Sequence, residues 1–166
     1  MASDANPPVS AEDEERLTAI AAELADRVEA TVPAWIERLV LARVQEWSGH
    51  VSAEVAAEAV VAAEAARGDV VPRMRALLSA DIDGQTANPL ELLRGATRHA
   101  HDALARIGVP SVVRDDFAQR SFPGDFYDLM PATWSDVDPS LHEIGLTWGA
   151  AKAYVHKARR RAEGRT

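Results

Sequence analysis

Leu17, Ile20, Leu24 and Val28 follow one another at three- and four-residue steps. The same step returns in Ile36, Leu39, Val40 and Trp47, and again along Leu92, Leu93, Ala96, Ala100, Ala103, Leu104 and Ile107. At the pitch of an α-helix this spacing gathers the apolar side chains into one stripe, which has to be covered by another helix. The chain is therefore expected to be all-α, a compact bundle of about six helices. Alanine is the commonest residue and the best helix former, because fixing it loses no rotamer entropy. Helices rich in it approach one another closely, with leucine, valine and tryptophan as the bulky members of the core.

Local signals divide the pattern. Residues 1–9, with Asn6, Pro7 and Pro8, are expected to form a flexible arm, and a single helical domain is expected over 10–161. Ser10 and Asp13 have the spacing of a capping box, and the acids of the first turn oppose the positive end of the helix dipole. Pro33, which lacks the N–H that a helix interior needs, marks either a kink in one long helix or the first turn of a second helix ending at Gly49, and a sharp join between two helices is the favoured reading. Ser52 caps a third helix that is expected to stop at Gly68, with a short helix over 72–79 and a polar loop over 80–87. Asn88, Pro89 and Glu91 form the clearest start signal, and Gly108 with Pro110 ends that helix. A shorter helix is expected over 112–120, and a last one from Asp138–Pro139 towards Arg161, with Gly145 and Gly149 as weak or close-packing points.

The long connection before the last helix departs from this pattern. Seven of the nine aromatic residues lie between Phe117 and Tyr154, among prolines and acids with no helical period. Each aromatic ring can bury roughly 150 to 250 Å², so a monomer that leaves them all in water is not expected. Two outcomes are open. Phe122, Phe126, Leu129, Met130 and Trp134 can tether the connection to the helical body, or Phe122, Phe126, Tyr127, Met130 and Trp134 can form a surface for a protein partner or small ligand. Asp125, Asp128, Asp136 and Asp138 lack the spacing of a calcium loop and are read as capping and turn residues.

The residue types that carry chemistry are present without a pattern that unites them. His99 and His101 point about 200° apart on one helix and cannot share an ion on one face. The polar candidate is therefore His99, Asp102, Asp115 and Asp116, assembled from separate helices, and no metal or cofactor is expected. His142, His156 and His50 are expected off the buried faces. No nucleophile elbow, phosphate loop or dinucleotide fingerprint occurs. The absence of cysteine removes disulfides, thiolate nucleophiles and Cys-ligated centres. A net charge of −8 disfavours broad affinity for nucleic acid or anionic membrane, although Lys157, Arg159, Arg160, Arg161 and Arg165 form a basic end, with 162–166 as its tail. Cations there suit a helix C-terminus, and attachment to acids near the N-terminus is a second reading. No secretory leader and no stretch of about 18 apolar residues is visible, so a soluble cytoplasmic protein without a membrane span is expected.

The order NPLELLR, ARIGVPSVVRDDFAQRSFPGDFYDL, PATWSDVDPSLHE and GLTWGAAKAYVHK, from Pro89 to His156, resembles an uncharacterised family of helical proteins from high-GC actinobacteria. The resemblance implies a bacterial cytoplasmic origin and assigns no activity, ligand or catalytic residue. The expected function is a noncatalytic protein-interaction or regulatory module, a homodimer or a partner of another protein. A small enzyme or a metal- or ligand-binding bundle is the alternative, and weak nucleic-acid contact through the basic end is the third.

Overall fold

Ala11–Ser48 form α1, which begins as its sequence indicates. The Ser10 hydroxyl accepts from the Asp13 N–H at 3.1 Å, and the Asp13 carboxylate accepts from the Ser10 N–H at 3.3 Å. Gly49 ends it at φ 71°, where its N–H donates to the Gln45 carbonyl. The computed structural model describes residues 9–80, 88–110 and 129–164, and five helices lie among them with no strand. The expected helix over 112–120 falls outside the described residues. Val9, assigned to the arm, is half-buried against the core.

Of the two readings of Pro33, the single long helix is the one that occurs: α1 continues through it without a break. The missing N–H leaves the Glu29 carbonyl without its helical partner, and an interior proline costs about 3 kcal/mol. Val32, Trp35, Ile36, Val40 and Val44 lie in and beyond that turn and are all buried. Each is worth roughly 1.5–3 kcal/mol on burial, so continuing the stripe outweighs the proline.

The break expected between Gly68 and Pro72 is likewise absent, and Ala53–Ser79 form one helix, α2, capped by the Ser52 hydroxyl. Pro72 faces solvent, and the carbonyl it orphans belongs to exposed Gly68. Water can satisfy that group, while Val70, Met74 and Leu78 carry the buried face onward.

Asn88 caps α3, Pro89–Arg106, by accepting from the Leu90 N–H at 3.0 Å, and Leu93, Ala96, Ala100, Ala103 and Leu104 form its buried stripe. The connection before the last helix contains a four-residue helix, α4 (Trp134–Val137), where the sequence pattern predicts irregular chain. The last helix, α5, spans Leu141–Ala162, starting just after the expected Asp138–Pro139 signal. Asp138 instead accepts from the Ser140 N–H at 2.9 Å, a turn that aims the chain into α5.

α1 is the hub and touches every other described helix. Arg75 pairs with Asp26 at 2.8 Å and with Glu29, while Arg67 reaches Glu29 at 3.3 Å, so α2 lies antiparallel to α1. Arg159 with Glu14 and Arg27 with the Ser140 carbonyl give α5 the same sense along another side of α1. α3 packs on α2 and α1.

Candidate interaction surface

Three arginines hold the described end of the connection, residues 129–140. Arg94 on α3 donates to the Pro131 carbonyl at 3.1 Å, Arg38 on α1 to the Val137 carbonyl at 2.8 Å, and Arg27 to the Ser140 carbonyl at 3.1 Å. Each gives a charge-assisted bond to a backbone carbonyl. Asp136 accepts from the N–H groups of Ala132 and Thr133, both at 2.9 Å, and the Thr133 bond leads in holding its carboxyl below the ordinary range. The Asp138 carboxyl is lowered chiefly by Ser140. Both acids therefore act in turns.

Trp134 lies in the core, 7% exposed, with its ring on Gly145 of α5. A Cβ at Gly145 would stand 2.6 Å from the ring, so this glycine is a close-packing point, whereas Gly149 has open space. Trp134 is thus a tether and offers no exposed ring to a partner. Leu129 is buried in the same core and Met130 is half-buried. Phe122, Phe126 and Tyr127 lie outside the described residues.

The polar candidate is brought together only in part. His99 Nε2 lies 3.0 Å from Asp69 Oδ2, across the seam between α3 and α2. Arg73 reaches the other oxygen at 3.4 Å. The bond from His99 leads in lowering the Asp69 carboxyl, burial opposes it, and Arg73 adds to it. Asp102 is exposed on α3, and Asp115 and Asp116 lie outside the described residues. Among the described residues no three His, Asp or Glu side chains converge as metal ligands. The pair lines neither of the two cavities beside α5, and its geometry is that of a tie between helices.

Arg159, in the basic end, donates twice to Glu14 Oε1, at 3.0 and 2.8 Å, drawing that end of α5 onto the acidic start of α1. Among the described residues no helix is long and apolar enough to cross a membrane.

The outward side of α5 carries a feature that the sequence pattern does not single out. Leu146 is 57% exposed and Tyr154 47%, with Ala150 exposed between them at four-residue steps. Beside this row, between α1 and α5, runs a cavity of about 430 Å³, with Ile20, Thr147, Ala151 and Tyr154 in its walls and Asp13 and Arg16 at its rim. A second cavity of about 250 Å³, on the side of α1 towards the end of α2, is edged by Trp148 and the Glu14–Arg159 pair. Lys152 stands 5.1 Å from the centre of the Trp148 ring, and its burial there lowers the ammonium pKa. Compared with family models, curated proteins and solved structures, the chain matches none.

Proposed function

We propose that the protein is a noncatalytic helical interaction module and that the face shared by α1 and α5 binds a helix of a protein partner. The observation that carries this reading is the apolar row Leu146, Ala150 and Tyr154 beside the cavity walled by Ile20 and Ala151. Single exposed apolar residues are ordinary on a protein surface, whereas a row along a groove matches the spacing at which an amphipathic helix presents its own side chains. The described stretch before α5, residues 129–140, is held to α1 and α3 by arginines and to α5 by Trp134.

A photo-crosslinking amino acid placed at Leu146 or Tyr154 of the full chain tests this in the cells that make the protein. Both positions are expected to yield defined protein adducts, and exposed Ala65 on α2 is expected to yield none. Equal labelling from Ala65, or no adduct from α5, would reject the reading.

A further inference from the structure

We propose that the partner is a second copy of this chain, docked through α5 in antiparallel register with Ala150 on the two-fold axis. The inference rests on the reading of the α1–α5 face as an interaction surface and names its occupant.

The argument lies in the order of side chains along the outward row. Seven residues complete two turns to within about 20°, so Glu143, Ala150 and Lys157 follow one seam about 21 Å long, with Leu146 and Tyr154 beside it. All five side chains are exposed. The row is reverse-symmetric about Ala150: Leu146 and Tyr154 stand four residues to either side, and Glu143 and Lys157 seven to either side. A two-fold axis through Ala150, perpendicular to the helix, brings Leu146 against the partner's Tyr154 and Glu143 against the partner's Lys157. Each of these contacts occurs twice, as a self-complementary interface requires.

Charge complementarity selects a copy of the same chain over a helix of unrelated sequence. Among the described residues neither Glu143 nor Lys157 has an ion-pair partner in its own chain, whereas pairs such as Arg75–Asp26, Arg67–Glu29, Arg106–Glu58 and Arg159–Glu14 tie the described helices together. In the antiparallel register both find one. A parallel register would place Glu143 beside Glu143 and Lys157 beside Lys157. The centre is small: Ala150 faces its own copy at the axis with Gly149 and Ala153 next to it, which allows two helices to pack at about 10 Å. The Thr147 hydroxyl already donates to the Glu143 carbonyl at 2.8 Å, so it brings no unpaired donor to the contact.

The test is a charge exchange read by sedimentation or native mass measurement on the full chain. Wild type is expected to dimerise reversibly. Glu143→Lys and Lys157→Glu each set like charges together twice per dimer, and each is expected to weaken association by about tenfold. Mixed in equal amounts, the two variants again set a cation against a carboxylate at both ends of the seam, so association is expected to return to within about threefold of wild type. Unchanged melting at dilutions where wild type is also monomeric confirms that the exposed substitutions leave the fold intact. The proposal is overturned by a wild type that stays monomeric at several hundred micromolar, by single variants that associate as wild type does, or by a mixture no tighter than either variant alone. A monomer that still yields adducts of another mass from Leu146 overturns the second copy and leaves the interaction reading standing. Loss of association in Leu146→Asp, with no response to the charge exchange, retains the face and rejects the register.

Discussion

Replacing Gly145 with alanine probes how closely the connection is seated on α5. A Cβ at this position would stand 2.6 Å from the Cδ1, Cε2 and Nε1 atoms of Trp134, roughly 1 Å inside the usual 3.5–4.0 Å separation. The neighbour is a ring buried to 7% exposure, carried by α4, whose end is fixed by the Arg38 bond to Val137, so making room for the methyl disturbs packed core. Overpacking of this kind costs about 1–3 kcal/mol. The same substitution gains up to about 1 kcal/mol by removing glycine from a helix interior. Gly95→Ala in α3 meets nothing within 4 Å and registers the gain alone. Urea unfolding followed by circular dichroism should therefore find Gly145→Ala less stable than Gly95→Ala by about 1–3 kcal/mol. In a Trp134→Ala background, itself destabilised by about 3–5 kcal/mol, the added methyl should be harmless or favourable. Equal stability of the two glycine variants, or the same cost after Trp134 is removed, would refute the packing argument.

Leu146→Asp is expected to abolish the concentration dependence of the sedimenting mass while changing unfolding stability by no more than about 0.5 kcal/mol at dilutions where wild type is also monomeric, since the side chain is exposed in the single chain. The Asp69 carboxyl titrates below its ordinary range in the folded chain, so its charged form stabilises the fold above a pH of about 4, and that contribution disappears as pH falls towards the folded value. Asp69→Asn should accordingly be less stable than wild type at pH 6, by less than about 1 kcal/mol because the pair is partly exposed, and the gap should narrow progressively as pH falls below about 4. A gap independent of pH would contradict this. Arg38→Ala should speed amide exchange over 131–140 before it affects α1, because it orphans the Val137 carbonyl at the end of α4. Metal analysis of untagged protein is expected to find less than one equivalent, in keeping with the lack of converging ligands among the described residues.

The features legible in the sequence are those whose cause is local. Ser10 with Asp13, Gly49, Ser52, Asn88 and Gly108 mark helix ends because each cap is completed within a few residues of itself. Pro33 and Pro72 mislead because their cost is local while its compensation is not: whether Trp35 or Met74 is buried is decided by a helix tens of residues away. α4 is too short for a period, although Thr133 and Asp136 have the spacing that marks a helix start. The Asp69–His99 tie spans thirty residues and leaves no trace in either neighbourhood. On α5 the row through Ile144, Trp148, Ala151 and Val155 is the one expected to be buried from its helical spacing, and it is the row that α1 covers. The second row, through Leu146 and Tyr154, stays outside.

The chain contains no cysteine, so a single introduced thiol reports one position without background. A two-fold axis through Ala150 brings the two Cβ atoms at that position towards the separation of about 3.5–4.5 Å that a disulfide requires. Mild oxidation of Ala150→Cys should yield a covalent dimer that melts above the reduced protein, and Ala65→Cys on α2 should remain a single chain. Failure of the thiol at position 150 to link, or linkage as ready from position 65, would contradict the antiparallel pairing of α5.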